Sequence, residues 1–263
     1  MLQEDRDELT MNQKKTPMLF RLIKWTVRTC YHKVSLQGSE HLPDTPCVVV
    51  ANHCQLHGPI TSELYFPAPR VTWCAGQMME LKEVPGYAFQ DFWSQKPKRS
   101  HWYYKLCSYA MAPLASYIFT HADTIAVRHD ARILSTFKKT VAALQEGNNV
   151  IIFPEHDVKC NHIIYEFQDR FVNVAKHYYR KSGKALPFVP MYIAPKLKTA
   201  VIGEPIYFDP ERPMDEERER ICNELKNSIT ALGEALPLHT VVPYRNIPKK
   251  LYPKNRPNQE VSL

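Results

Sequence analysis

The residues of this chain best placed to do chemistry follow directly on a β-branched apolar run. Val48-Val49-Val50-Ala51 leads straight into Asn52-His53, and Pro59 then suits the first turn of a helix. That pattern puts His53 in a strand-to-helix loop at the edge of a sheet, where α/β proteins bind ligands. An imidazole there can take a proton from a hydroxyl near neutral pH, which is what a general base must do. A lone loop histidine also has structural uses, so its surroundings matter. His57 stands four residues on, and Glu155, His156, Asp157 and His162 cluster later. Two histidines one helical turn apart can share a zinc ion with a carboxylate, which leaves a metal-dependent hydrolase as one reading of the cluster. Against it, Gly58-Pro59 interrupts a continuous helix across His53–His57, and no glutamate adjoins His53 as in metalloproteases. No metal is therefore expected.

The elements that must position these residues follow from periodicity. Cys47–Ala51, Val71–Ala75, Asp123–Val127, Asn149–Phe153, Phe188–Ile193 and Thr199–Ile202 are strand candidates. A helix capped by Asp130 carries Ile133, Phe137, Val141 and Leu144 as its buried stripe and ends at Gly147. Glu166–Lys181 and Asp215–Leu232 repeat that pattern, closing at Gly183 and Gly233. Strands alternating with helices predict an α/β fold, a largely parallel sheet flanked by helices. Ahead of it, an N-terminal amphipathic helix is expected in Met18–Val34, with Arg21, Lys24 and Arg28 interleaved among Leu19, Leu22, Ile23 and Val27 and with Trp25 at headgroup depth. Trp102–Thr120 is apolar and aromatic but holds Lys105 and Pro113, and no apolar run reaches bilayer-spanning length. Residues 1–16 read as a polar leader, 17–35 as the interface helix, 36–235 as the α/β domain and 236–263 as a Pro-rich basic tail. The tail's proline density predicts extended chain, either wrapped on the domain, set against anionic lipid or solvated.

Composition bounds the partners. With 263 residues, 44% hydrophobic and 23% charged, the chain can bury a full core. A formal net charge of +7 favours anionic partners, a membrane surface among them. The aromatics Trp102, Tyr103 and Tyr104 beside Lys98, Arg99 and Lys105 suit a membrane interface, and no recognised nucleic-acid motif accompanies them. The seven cysteines are scattered without a Cys-x-x-Cys pair, and no secretory signal is visible. Reduced thiols on the cytoplasmic face of a membrane are expected.

Over roughly residues 34 to 206 the chain resembles the glycerolipid acyltransferases typified by lysophosphatidic acid acyltransferase. Asn52-His53 matches the start of that family's first motif. Thr124-Ile125-Ala126-Val127-Arg128 resembles its second, Phe153-Pro154-Glu155-His156 its third, and Val189-Pro190-Met191 its fourth. The resemblance implies an enzyme that moves a fatty acyl group from acyl-CoA or acyl-carrier protein to the hydroxyl of a lysophospholipid or glycerol-phosphate-like acceptor. His53 would deprotonate the acceptor, Arg128 would bind its phosphate through a guanidinium fork, and Glu155 would hold its polar headgroup. The acyl donor is a thioester co-substrate, and no cofactor is implied.

Two departures stand out. The family's first motif places an aspartate where this chain has Gly58, and that aspartate fixes the tautomer of the histidine. Asp157, His57 or Glu63 could replace it. In the third motif His156 stands for glycine, and Lys159 could supply a positive charge lost from the residues that follow, so His156 and Lys159 join the substrate-binding candidates. The missing aspartate also supports an alternative, a non-catalytic lipid-binding relative of the same fold.

Overall fold

The structure, a computed structural model, describes residues 17–128, 132–244 and 246–256, and the side chains of 157–160 are not described. The polar leader and the Asp130 cap lie outside the described residues. In chain order the main elements are α1 (Met18–Cys30), β1 (Ser35–Gln37), β2 (Val48–Ala51), α2 (His57–Tyr65), β3 (Arg70–Ala75), α3 (Val84–Ala88), α4 (His101–His121), β4 (Thr124–Val127), α5 (Ile133–Gln145), β5 (Asn149–Ile152), β6 (Glu155–Cys160), β7 (Tyr165–Phe167), α6 (Asn173–Ser182), β8 (Pro187–Ala194), β9 (Thr199–Ile202), β10 (Ile206–Tyr207) and α7 (Met214–Ala235). Helices alternate with strands that pair mostly in parallel, the α/β class expected.

Two compact units divide the described residues, one falling within 17–32 and 71–147, the other within 33–70 and 148–256. In the second unit the strands run β1-β9-β8-β2-β5, with β10 on β8. β2 lies between β8 and β5, parallel to β5 (Val49 opposite Ile151) and to β8 (Val49 opposite Val189). Val48–Ala51, Asn149–Ile152 and Pro187–Ala194 are buried throughout, which explains their continuous rather than alternating apolar runs. From α7, Ile221, Leu225 and Ile229 add a fully buried stripe at helical spacing. In the first unit β3 and β4 pair in parallel, and α5 buries Phe137, Val141 and Leu144 as its periodicity predicts. Its end is fixed by Gly147, at φ +89°.

Two local expectations change and one open alternative is decided. The helix expected over 166–181 begins only at Asn173, because Tyr165–Phe167 pairs with β6 as a hairpin. Gly233 does not end α7 but lies inside it. A Cβ there would come within 2.7 Å of Ile163 and 3.1 Å of Tyr192, so glycine serves close packing, and the helix runs on to Ala235 before Pro237. Of the alternatives for the proline-rich tail, wrapping on the domain is the one the described residues take. Asn255 is fully buried, accepting the His239 N–H at 2.8 Å and donating to the Gly233 and Leu236 carbonyls at 2.9 and 3.2 Å. The Val241 N–H donates to the Pro253 carbonyl, and the His239 ring meets the Tyr192 hydroxyl at 2.9 Å. The tail thus forms a strap over the described residues 237–244 and 246–256.

Candidate active site

The loop after β2 is built by side chains that take the place of backbone partners. Asn52 is buried, and its amide accepts the Ile193 N–H at 2.7 Å and donates to the Ile193 carbonyl at 3.0 Å. It thereby adds one rung to the β2–β8 ladder where β2 has ended. Cys54 and Gln55 then turn the chain through the left-handed region, at φ 48° and 58°, a conformation uncommon outside glycine and frequent at functional sites. Between the rung and the turn, His53 is fixed at the strand end.

Glu155 supplies the second hold. Its carboxyl is buried, one oxygen accepting the His53 N–H at 2.5 Å and the other the Tyr165 N–H at 3.3 Å. The Asn52-His53 and Phe153-Pro154-Glu155 segments, 102 residues apart between His53 and Glu155, are thus joined by a direct bond. Burial raises the Glu155 pKa to about 7, against the opposing pull of those two amides.

The His53 ring is half-buried between two aromatic edges, Phe153 and Tyr244, each with its centroid 5.2 Å away. Tyr244 belongs to the strap, and Tyr252 of the same strap accepts a hydrogen bond from the Gln55 amide at 2.9 Å. The ring's Nδ1 is buried and has no hydrogen-bond partner. Burial lowers the His53 pKa to about 4, only partly opposed by the backbone of Gln55 and of His53 itself. The imidazole is therefore neutral at pH 7.

Gly58 closes the same loop against His53 and Phe153. Its N–H donates to the His53 carbonyl at 3.0 Å. A Cβ on Gly58 would sit 2.3 Å from that carbonyl oxygen and 2.9 Å from the Phe153 ring. The space a side chain would need at position 58 is closed by the loop's own backbone and by Phe153.

The other sequence candidates are distributed as follows. Glu63, on α2, pairs with Arg70 at 2.6 Å, and His57 opens α2 half-buried; neither hydrogen-bonds Nδ1. His156 is exposed on β6, and the side chains of Asp157 and Lys159 are outside the described residues. His162 pairs with Glu234 at 2.7 Å. Arg128 lies in the other unit, mostly buried, held by Glu80 at 3.0 Å and Glu83 at 2.9 Å. Gly76 gives that guanidinium room, since a Cβ there would be 2.8 Å from the Arg128 side chain. Among the described residues no three His, Cys, Asp or Glu side chains gather as a metal-holding group. Sequence reasoning missed Tyr244, Tyr252 and the enclosing role of Phe153. Only the tail's tyrosines, unusual in a solvated segment, hinted at a packed strap.

No family model matches the chain, and no curated protein matches it. Among solved structures it is similar to the crystal structure of the 1-acyl-sn-glycerophosphate (LPA) acyltransferase PlsC from Thermotoga maritima, at 18% sequence identity and a TM-score of 0.46, over 81% of this chain and 79% of that one.

Proposed function

We propose that this chain is an O-acyltransferase that moves a fatty acyl group from a thioester donor to the hydroxyl of a lysophospholipid or glycerol-phosphate-like acceptor, with His53 as general base. The observation that carries the reading is the bond from the His53 N–H to the buried Glu155 carboxyl. It unites two segments whose residue types suit acyl transfer and fixes the imidazole at the end of a central strand. In the reaction, Nε2 takes the acceptor's hydroxyl proton while its oxygen bonds to the thioester carbonyl carbon. The tetrahedral oxyanion collapses, the C–S bond breaks, and the proton passes from His53 to the leaving thiolate. The donor is acyl-CoA or an acyl-carrier protein, and no step calls for a further cofactor. Glu155 acts as a positioning residue, since both its oxygens are taken by backbone amides. Arg128 would meet an acceptor phosphate only in competition with Glu80 and Glu83.

The chain would work at an anionic membrane surface on its cytoplasmic face. In support, α1 exposes Met18, Leu19, Leu22 and Trp25 beside Arg21 and Arg28. No helix among the described residues is long and apolar enough to cross a membrane.

One observation favours a second reading, a lipid-binding relative without turnover. For Nε2 to act as base the proton must reside on Nδ1, which is buried, makes no well-formed hydrogen bond and has only the backbone of Gln55 and of His53 itself to offset its burial. A wholly unsatisfied buried donor costs about 1–3 kcal/mol, so the productive tautomer is disfavoured by at most roughly 5- to 150-fold. The deciding assay is acyl transfer to a panel of lysophospholipids, glycerol phosphate and simple alcohols, wild type against His53→Ala. Slow transfer that vanishes in the variant is expected. Lipid binding without transfer to any acceptor would move the conclusion to the second reading.

A further inference from the structure

Helix α4 divides its apolar residues between two faces. Inward, Ser108 is buried, and Ala112 and Ala115 are buried in a cluster with Met78, Val84 and Ala88, against which Met111 and Phe119 also pack. Small side chains let α3 approach closely, as Ala88 does across from them. A second set of large apolar residues points the other way. Trp102, Leu106 and Tyr109, spaced i, i+4 and i+7, are 71%, 62% and 68% exposed, with Tyr103 and Leu114 flanking the stripe. A helix that met only water on that side would carry the reverse pattern. An apolar stripe of this length marks a surface that something covers.

The chemistry of its border identifies the cover. α4 contains no aspartate or glutamate in its 21 residues. Lys98 and Arg99 are exposed just before its first turn, and Lys105 is exposed beside the stripe, its ammonium 5.6 Å from the Phe89 ring centre. Trp102, Tyr103 and Tyr104 gather at that basic end. Amphipathic aromatic rings and snorkelling cations over an apolar stripe fit the headgroup layer of an anionic bilayer. Depth is bounded as well. Pro113 removes the N–H that would pair with the Tyr109 carbonyl, so that exposed turn needs water or headgroups nearby rather than hydrocarbon.

We infer that α4 is a membrane-docking helix that lies in the interface plane of an anionic bilayer, its Trp102–Leu106–Tyr109 stripe inserted and Lys98, Arg99 and Lys105 at headgroup phosphates. This contact is additional to α1 and stands without any acyl transfer.

The test uses the full chain with vesicles of phosphatidylcholine alone and of an equal mixture with phosphatidylserine. Partition is read by sedimentation, and insertion by tryptophan quenching from brominated acyl chains. The pair Leu106→Glu/Tyr109→Glu, whose side chains are exposed and so spare the core, should lower partition into the mixed vesicles at least about ten-fold. Trp102→Phe should leave partition near wild type while removing a large part of the quenching. Leu19→Glu/Leu22→Glu on α1 should weaken partition and leave the Trp102 quenching in bound protein. His53→Ala should bind as wild type does, which separates this inference from the catalytic reading. Unchanged partition in a folded α4 pair variant would overturn the inference, as would quenching insensitive to Trp102. Self-association abolished by the α4 pair variant, with no vesicle uptake by wild type, would overturn it in favour of a protein partner.

Discussion

Position 58 gives the sharpest test of how this site is built. If the chain had merely lost a carboxylate there, restoring it with Gly58→Asp should supply Nδ1 with a partner and raise the rate. The structure argues the opposite. A Cβ at 58 would stand 2.3 Å from the His53 carbonyl oxygen, 3.0 Å from that carbonyl's carbon and 2.9 Å from the Phe153 ring. The first two are backbone atoms, and the same oxygen accepts the Gly58 N–H. No rotamer change relieves them, so the 53–58 loop itself must open. Overpacking of this kind costs about 1–3 kcal/mol. For domains of roughly 150–250 residues that corresponds to a fall of roughly 2–12 °C in melting temperature, at about 2–4 °C per kcal/mol. Thermal melts followed by circular dichroism on Gly58→Ala and Gly58→Asp measure it directly. Phe153→Ala added to Gly58→Ala should recover little, because the backbone clash remains. Turnover of Gly58→Asp should fall as the loop loses its hold on His53. Gly58→Ala melting together with the wild type would refute the closed-loop argument, and a faster Gly58→Asp would show that the aspartate reaches Nδ1.

Two further outcomes follow from the buried groups. The lowered His53 pKa contributes stability that is present above about pH 6.5 and lost as pH falls toward 4; the raised Glu155 pKa contributes stability present below about pH 4.5 and lost as pH rises through 7. The two slopes oppose each other between those limits, so Glu155→Gln should leave the His53 slope alone. Its denaturant stability relative to wild type should rise with pH across the window, by up to about 1.4 kcal/mol per pH unit; parallel curves would refute the pairing of signs. Asn255→Ala strips the strap of its buried hydrogen bonds and should cost at least about 2 kcal/mol. It should also speed modification of His53 by diethyl pyrocarbonate as Tyr244 loosens, and an unchanged modification rate would detach the strap from the site.

The fold was legible wherever burial left a continuous signature. β2, β5 and β8 are buried throughout, so their runs of Val, Ile, Phe and Met announce buried strands directly, and their alternation with helices the largely parallel sheet. What periodicity could not show were contacts between distant segments that carry no pattern. Glu166 and its neighbours suit a helix locally, yet Tyr165–Phe167 is drawn into a hairpin by the bond from Tyr165 to Glu155. The same bond pattern turns Glu155 inward to two amides, although a carboxylate after Phe-Pro reads as a ligand contact. The strap was hidden because proline density predicts extended chain and says nothing of what it lies against. One buried residue, Asn255, decides that, and nothing around it in the sequence marks it as buried.

Enclosing His53 in aromatics rather than pairing it with a carboxylate has a consequence for the pH profile of any turnover. A histidine base with a carboxylate partner is held near or above its ordinary pKa, and its activity fades as pH falls below about 6.5. Here burial between Phe153 and Tyr244 lowers the pKa to about 4, so His53 stays neutral, and able to accept a proton, far into the acid range. The acid limb of kcat/KM is therefore expected near pH 4 instead of near neutrality. Glu155, raised to about 7, carries no reacting atom but grips the His53 N–H, and any limb near neutrality belongs to it. Glu155→Gln should remove such a limb and leave the one near pH 4 in place. Rates measured from acid to neutral pH in wild type and Glu155→Gln decide the matter. An acid limb near 6.5 that persists in the variant would mean that His53 finds a charged partner during turnover, and the aromatic enclosure would then be a resting arrangement that substrate displaces.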